Sequence, residues 1–254
     1  MSAIGTITET LVAARRAQRP APSSGLATAL QGAAEAYVVQ DAVAQAMGWF
    51  DRAVPRYWKS GGPSREAVLT HAALPPGGVR SSGATFDDGP LFSRAIEAEI
   101  ALRLASDVSP AQAAALRPEA VDELIDAMTV SIEICDSRWL EGTQAPALLR
   151  LADLQSHAGL ALADWQAYRR RDWAAQRCEV RIGGAAPITR SGSHSLGDPA
   201  WLLPTWLRHM SRHGQKVPAG TVVTTGTWVG MLPAQAGDRV DVSFEGIGSA
   251  WLQL

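Results

Sequence analysis

The stretch from Ile96 to Leu102 reads IEAEIAL, and its alternation is the feature that most constrains the fold of this chain. Apolar residues fall on one parity, whereas Glu97 and Glu99 fall on the other. Side chains at i and i+2 leave the same face of a β-strand, so a strand here would bury the apolar residues and direct both carboxylates to one side. A second run, VSIEIC at 130–135, alternates in the same way and contains Glu133. The pattern therefore predicts two strands with three glutamates on their polar faces.

A helix is the competing interpretation of the first run. Ala, Glu, Leu and Arg all favour helices, and Ile96, Ile100 and Leu104 have the spacing of a helical apolar stripe. In that case the glutamates would be solvated. In the strand interpretation, carboxylates inside apolar runs are costly unless they are paired or bound to a cation. An oxygen-rich cluster of this kind suits Mg²⁺ or Mn²⁺.

The composition limits the class of protein and its partners. The chain has 254 residues, 46% of them apolar and 19% charged, which is typical of a soluble globular protein. A net charge of −2 gives no electrostatic reason to expect nucleic acid or an anionic membrane as a partner. No apolar run approaches the length of a membrane span, the N-terminus lacks the apolar core of a signal peptide, and the two cysteines do not make a disulfide framework. We therefore expect a cytoplasmic protein.

Lysine is rare in this chain. Of the 23 basic residues only Lys59 and Lys216 are lysines. Arginine is effectively always charged, whereas a buried lysine can give up its proton. Lys59 is therefore a candidate for a chemical role, with retention by chance as the alternative.

The remaining patterns outline the organisation of the chain. Helices are predicted at 2–18 and 28–50, followed by a long loop region at 51–90 that is rich in Gly, Pro and Ser. Later segments are assigned as strands (94–104, 128–135, 178–182, 220–224, 239–244, 247–254), helices (111–116, 145–154, 199–213), or either (158–165). These predict an α+β fold with a helical and loop portion at 1–80 and a β-rich core at 81–254, together forming one structural unit.

Eight short segments, in this order and spacing, resemble the fumarylacetoacetate hydrolase superfamily. They are AYVVQ at 36–40, YWKSG at 57–61, TFDD at 85–88, IEAEI at 96–100, SIEICDSR at 131–138, TGT at 225–227, AGD at 236–238 and IGS at 247–249. Within the superfamily, the chain is most similar to the branch of 2-keto-4-pentenoate hydratases, 2-oxohept-3-ene-1,7-dioate hydratases and 4-oxalocrotonate decarboxylases. The resemblance implies a β-rich roll of mixed sheets with an N-terminal helical portion.

The resemblance also implies roles for particular residues. The ligands of Mg²⁺ or Mn²⁺ would be Glu97, Glu99 and Glu133. Lys59 and Asp88 would be the catalytic candidates, with Lys59 as acid or base and Asp88 orienting a water.

Two further residues would contact the substrate by resemblance. Thr227, at the end of a TGT segment, would hold the substrate carboxylate, and Asp87 would lie beside it. For Asp87 and Asp88 the alternative is a plain turn, because DDGP is good turn chemistry. For Thr227 the alternative is an ordinary strand residue.

The implied activity is metal-dependent hydration of a 2-hydroxydienoate or 2-oxoalkenoate in the catabolism of aromatic compounds. Decarboxylation of an oxalocrotonate-like acid and C–C hydrolysis of an acylpyruvate are the alternatives, because all three reactions pass through an enolate that a metal stabilises. A non-catalytic relative is a fourth hypothesis. The expected partners are a small 2-oxo or 2-hydroxydienoic acid and further copies of the chain in a homo-oligomer.

The histidines give weaker indications. Glu66 and His71 would be the water-activating pair of a C–C hydrolase, but i and i+5 do not share a helix face. His194 is kept as a possible pocket residue. The other histidines are expected to be structural or exposed: His157, His209 and His213. His157 stands where the relatives have a Ser-Asn-like position.

Overall fold

The computed structural model describes residues 2–51 and 53–254. Within these ranges the α-helices are α1 (Ala3–Arg16), α2 (Ala33–Met47), α3 (Pro110–Ala115), α4 (Ala147–Ala152) and α5 (Leu203–Met210). The first seven strands are β1 (Tyr57–Gly61), β2 (Thr70–Ala73), β3 (Val79–Ser81), β4 (Ala95–Leu104), β5 (Ile125–Cys135), β6 (His157–Leu162) and β7 (Gln166–Ala167). The others are β8 (Arg177–Ile182), β9 (Ile188–Ser191), β10 (Val222–Thr224), β11 (Leu232–Pro233), β12 (Arg239–Phe244) and β13 (Gly248–Gln253).

The larger sheet is mixed and contains Glu97, Glu99 and Glu133. Its strand order is β2-β1-β10-β4-β5-β6-β3, and β11 and β7 add to β4 and β5. The pairs β1–β10 and β3–β6 are parallel, whereas β4 is antiparallel to its neighbours β10 and β5. The long strands β4 and β5 lie at its centre because they are apolar enough to be covered on both faces.

The main hydrophobic core lies between this sheet and the smaller one, whose order is β13-β12-β8-β9. Ile96 and Ile132 enter it from the larger sheet, and Val242 and Phe244 enter it from the smaller sheet. These four side chains are almost fully buried. The even-numbered residues of β4 and β5 thus face the core, which leaves the odd-numbered glutamates for the opposite face.

A second hydrophobic cluster belongs to the helices. It contains Ile7 and Leu11 of α1, Val39 of α2, and Trp139 and Leu149 of the α4 region. The Ser2 side chain caps α1, and α2 ends at Gly48 in the left-handed conformation that glycine tolerates. The cluster anchors the N-terminal helices beside the sheet.

The α+β class, with mixed sheets and N-terminal helices, is confirmed. The long loop predicted at 51–90 is wrong, because β1, β2 and β3 lie in it and join the larger sheet. These strands are only three to five residues long, and their pairing with distant strands supplies the order that the local sequence does not. The ambiguous segment 158–165 is mainly strand, and the helix predicted at 199–213 is a 3₁₀ turn followed by α5. The division at residue 80 stays a prediction.

Among the described residues, no helix is both long and apolar enough to cross a bilayer.

Candidate metal centre

The glutamates of β4 and β5 leave one face of the larger sheet. In the antiparallel pairing, Glu97 lies opposite Glu133, and Glu99 lies opposite Ser131. The helix alternative for this run is therefore wrong. Because directly opposed residues of antiparallel strands have neighbouring side chains, the register itself creates a concentration of carboxylates.

Glu133 is the best-anchored of the three. Its side chain is fully buried, and its Oε1 accepts hydrogen bonds from Lys59 Nζ at 2.6 Å and from His157 Nδ1 at 2.9 Å. Its other oxygen, Oε2, is buried and has no hydrogen-bond partner among the described residues. Burial acts to raise the pKa of Glu133, but Lys59 and His157 outweigh it and lower the pKa. Glu133 is thus an ionised carboxylate with one uncommitted oxygen.

Glu99 is held from the side of β10. Its Oε2 accepts from the Thr224 hydroxyl and from the Gly226 backbone amide at 3.0 Å. Gly226 has φ +102, a conformation that side chains of other residues disfavour, so a glycine is needed for this amide to point at the carboxylate. Burial, together with Glu133 and Glu97, raises the pKa of Glu99 to about 8.

Glu97 is partly exposed and lies at the open side of the cluster. Its Oε2 accepts a weak hydrogen bond from Cys135 Sγ at 3.5 Å. One ligand atom each from Glu97, Glu133 and Cys135 lies within 4.8 Å of the others, which is close enough to share one ion. Burial and the neighbouring carboxylates raise the pKa of Cys135 well above its ordinary value in the ion-free protein, and its soft sulfur is a poor match for a hard cation. The oxygen atoms are therefore the better donors.

Lys59 faces the cluster from β1. Burial alone would lower its pKa, but Glu133 and the other acidic groups around it raise the pKa above its ordinary value. The idea that burial deprotonates this lysine is therefore wrong for the ion-free protein, because the charge of Glu133 lies 2.6 Å away. Lys59 is therefore a cation in the ion-free protein.

This donor set fits a hard divalent cation. Three carboxylates face one buried lysine, and burial, followed by repulsion between the carboxylates, raises the pKa values of Glu97 and Glu99. The unpartnered Oε2 of Glu133 offers an oxygen that a cation would satisfy. Carboxylate oxygens are the ligands that Mg²⁺ and Mn²⁺ prefer.

His157 was expected to be structural or exposed, and its departure from the relatives placed it among the possible neighbours of the pocket, but its contact with Glu133 was not predicted. It is buried, it begins β6 opposite Cys135, and it donates to Glu133. Burial lowers its pKa, which leaves a neutral ring whose Nε2 has no partner among the described residues. The one available signal was its substitution for a smaller polar residue in the resemblance.

The structure does not bring Asp87 and Asp88 to the glutamates. Both are exposed, and Asp88 forms an ion pair with Arg80. Asp88 borders a cavity with Ile134, whose parity on β5 is opposite to that of Glu133. Their proposed roles in the reaction stay predictions that this arrangement does not itself support.

Thr227 directly follows Gly226, whose backbone amide donates to Glu99. It is half-buried, its hydroxyl donates to the Gly230 carbonyl at 3.0 Å, and it accepts from the Val229 amide at 3.2 Å. These are turn contacts. A role in holding a substrate carboxylate requires the hydroxyl to exchange them for the ligand.

The structure gives different outcomes for the two remaining histidine hypotheses, the Glu66–His71 pair and the pocket role of His194. Glu66 is exposed, whereas His71 is buried and bonded to Ser60, so the described contacts do not join Glu66 and His71 as a pair. His194 is buried and its Nε2 donates to the Thr225 carbonyl at 2.8 Å, next to Thr224 of the site. It supports the loop that carries Gly226.

The fold is shared with solved enzymes. The 4-oxalocrotonate decarboxylase from Pseudomonas putida G7, complexed with magnesium and adipate, superposes with a TM-score of 0.83 at 18% identity over 98% of this chain and 96% of that one. The fumarylpyruvate hydrolase from Pseudomonas aeruginosa, in complex with Mn²⁺ and pyruvate, does so with a TM-score of 0.59 at 12% identity over 79% of this chain and 89% of that one. These likenesses establish the architecture.

The sequence establishes the family. The family described as Fumarylacetoacetate (FAA) hydrolase C-terminal matches residues 84–253, and the chain belongs to it. The 2-keto-4-pentenoate hydratase 1 of Dechloromonas aromatica (strain RCB) is 32% identical over 167 residues, which are 63% of this chain and 60% of the relative. The 2-keto-4-pentenoate hydratase 2 of the same organism is 31% identical over 170 residues, with the same coverage. The match thus spans about 60% of the length of these relatives.

Proposed function

We propose that this protein is a divalent-metal-dependent enzyme that adds water to a small 2-hydroxydienoic or 2-oxoalkenoic acid. The relatives named 2-keto-4-pentenoate hydratase support hydration over the other reactions found on this fold. A cytoplasmic homo-oligomer acting in the catabolism of aromatic compounds completes the proposal. Neither nucleic acid nor membrane is an expected partner, given the net charge of −2.

The observation that carries the proposal is the difference in hydrogen bonding between the two carboxylate oxygens of Glu133. Oε1 accepts hydrogen bonds from Lys59 and His157, whereas Oε2 is buried and has no hydrogen-bond partner in the part of the chain that the structure describes. A carboxylate held in this way is oriented in advance for a cation, because the protein already satisfies one oxygen and leaves the other free.

The chemistry divides among the residues of this face. Glu97, Glu99 and Glu133 would hold Mg²⁺ or Mn²⁺, which supplies a Lewis acid for the carboxylate and keto oxygens of a 2-oxo acid. Lys59 keeps its proton through its pairing with Glu133 and would donate a hydrogen bond or a proton where enolate charge develops.

The substrate-contact roles are more open. Thr227 would exchange its turn contact with Gly230 for the substrate carboxylate. Asp87 would contact the substrate and Asp88 would orient the attacking water, which requires the exposed segment that bears them to approach the glutamate face.

The test is calorimetric titration of Mg²⁺ and of Mn²⁺ in the presence of oxalate, a mimic of a chelating 2-oxo acid. Wild type is compared with Glu99→Ala and with Glu119→Ala, an exposed glutamate that serves as the matched control. We expect metal-dependent oxalate binding in wild type and Glu119→Ala and its loss in Glu99→Ala. A folded wild type that binds neither metal nor oxalate contradicts the proposal and favours a non-catalytic relative.

A substrate panel then identifies the reaction. A 2-hydroxypenta-2,4-dienoate tests hydration by the loss of its conjugated absorbance, a 4-oxalocrotonate tests CO₂ release, and an acylpyruvate tests C–C hydrolysis by the formation of two acids. Turnover of the dienoate alone, or at the highest kcat/KM, supports the proposal. Preference for either of the other substrates overturns the choice of hydration while it retains the metal site.

A further inference from the structure

The turn before β6 is strained. Leu154, Gln155 and Ser156 have φ values of 53°, 53° and 63°, and none of them is glycine. Side chains with a β-carbon disfavour this left-handed region, and three such residues in succession persist only where the surroundings hold them.

The turn touches the candidate metal centre at two points. The Gln155 carbonyl accepts from Lys59 Nζ at 3.4 Å. His157 follows directly and donates from Nδ1 to Glu133 at 2.9 Å. The same short segment therefore contacts both groups that occupy Oε1 of Glu133.

Asp153, immediately before the turn, is the anchor. Its carboxylate is fully buried and accepts from the Arg138 amide at 2.9 Å and from Arg138 Nε at 2.7 Å. Arg138 also donates from Nη2 to the Asp153 carbonyl at 3.2 Å. At the far end of the turn, the Asp136 amide donates to the Ser156 carbonyl at 2.7 Å.

The second cation on Asp153 comes from the first helix. Arg15, in the last turn of α1, donates from Nη2 to Asp153 Oδ1 at 2.9 Å. Two arginines thus share one buried carboxylate. Burial and the neighbouring charge of Arg138 lower the pKa of Arg15 to about 9, whereas Asp153 acts to raise it and so favours the charged guanidinium.

We infer that Arg15 and Asp153 are positioning residues: through the strained turn, the N-terminal helix sets the places of Lys59 and His157 around Glu133. The catalytic consequence rests on the proposed function, but the positioning itself is a property of the metal-free protein. Charged groups that are hydrogen-bonded behind a site commonly control how its ligands and donors are oriented.

The scarcity of lysine provides a direct measurement. Since Lys59 and Lys216 are the only lysines, ¹³Cε- and ¹⁵Nζ-labelled lysine gives two NMR signals in the metal-free protein. Lys216 pairs with Asp107 on the surface and is the internal reference. We expect the Lys59 signal to shift or broaden in Arg15→Met, whereas Lys216 stays in place.

Arg15→Met is the deciding variant, because it leaves the Asp153–Arg138 pair intact. Asp153→Asn leaves two buried cations without their carboxylate and can prevent folding. Two control variants are measured beside Arg15→Met. Arg239→Met removes an exposed ion pair with Asp241, and Ile7→Ala loosens the packing of α1 without touching the charges.

An unmoved Lys59 signal in a folded Arg15→Met protein overturns the inference. So does an equal shift in Ile7→Ala, because that result assigns α1 only a general structural role. A shift in Arg15→Met that Arg15→Lys reverses, with neither control moving Lys59, supports it.

The enzyme assay adds an independent readout. We expect Arg15→Met to lower kcat about tenfold, with KM changed by about twofold or less, and Arg15→Lys to restore most of kcat. If wild type shows no turnover, the proposed function fails while the NMR experiment still decides the positioning role. If turnover is present and Arg15→Met matches wild type in kcat, the catalytic part of the inference is contradicted.

Discussion

The β4–β5 ladder and the Leu154–Ser156 turn both place groups around Glu133, by opposite means. The ladder uses regular backbone pairing, in which Glu97 and Glu133 are opposed by register alone. The turn uses three left-handed residues held by a buried ion cluster. The carboxylates are thus placed by the regular pairing of two successive long strands, whereas the groups that orient one of them depend on irregular contacts with a distant helix.

The largest expected effect tests the point at which the two regions meet. Glu133→Gln leaves the buried Lys59 without the charge that lies 2.6 Å from it, and we expect a loss of about 3 kcal/mol of unfolding free energy. Urea denaturation of the metal-free protein measures it. In the Lys59→Met/Glu133→Gln double variant the unpaired charge is gone, so its loss should be smaller than that of Glu133→Gln alone. A double variant that is less stable than the single variant contradicts the interpretation of this pair.

The alternation in the sequence explains why the ladder was predictable. Apolar and polar residues alternate through most of 96–102 and 130–135, so two strands with three glutamates on one face were one of two interpretations, and the pairing of β4 with β5 excludes the helical one. The pairing of β1 with β10 was not predictable in this way. It joins Lys59 to Thr224, 165 positions away. Short strands within a Gly- and Pro-rich stretch cannot be predicted from their local sequence, because their formation depends on the strands with which they pair.

The left-handed turn at 154–156 could not be predicted from its local sequence, for a different reason. Left-handed positions are normally marked by glycine or asparagine, and Leu154, Gln155 and Ser156 are neither. Their conformation is imposed by Asp153 and by arginines at positions 15 and 138. Because His157 depends on this turn, its contact with Glu133 was hidden as well.

Two buried serines, one in the ladder and one in the turn, should change the stability in opposite directions when each is replaced by glycine. Ser131 lies in the ladder and shares a hydrogen bond of 2.8 Å with Thr224, so Ser131→Gly should cost about 2 kcal/mol from the lost bond and the flexible strand. Ser156 has φ 63°, so Ser156→Gly relieves strain and should raise stability by about 0.5 kcal/mol.

Chemical denaturation of both variants measures the difference in sign. Gly184 lies in open space without a left-handed φ, and Gly184→Ala is the control for the effect of glycine on the unfolded chain. A loss of stability in Ser156→Gly equal to that in Ser131→Gly would mean that the turn is not strained.

The pH dependence tests the electrostatics of the ladder. The pKa of Glu99 is raised from its ordinary value of 4.5 to about 8. The folded state therefore holds this proton more tightly than the unfolded state, and the stability it contributes is lost as pH rises through about 8. Between pH 7 and pH 9 the metal-free protein should lose about 1 kcal/mol. In this window the buried histidines are neutral in the folded state, because burial lowers their pKa values, and with an ordinary pKa of 6.5 only a minor fraction of them is protonated in the unfolded chain.

Thermal unfolding at pH 7 and pH 9 gives this comparison, and two changes should remove the difference. Glu99→Gln has no carboxyl group to ionise, and saturating Mg²⁺ or Mn²⁺ would favour the ionised form at both pH values. A pH slope that is the same in wild type and Glu99→Gln assigns the effect to another group.

The smallest expected effect concerns Asp88, which belongs to neither region. Its ion pair with Arg80 is largely exposed to solvent, so Asp88→Asn should change the unfolding free energy by about 0.5 kcal/mol or less. Metal affinity, measured by calorimetry, should stay within about twofold of wild type, because Asp88 borders a cavity on the side of Ile134 rather than the face of Glu133. Arg80→Met, which removes the other half of the pair, is the matched control.

If both variants bind metal normally and Asp88→Asn alone loses kcat by about 100-fold, the segment bearing Asp88 must reach the glutamate face during turnover, and the water-orienting role is supported. If kcat is unchanged in both, the ladder and the turn supply the reacting groups without it.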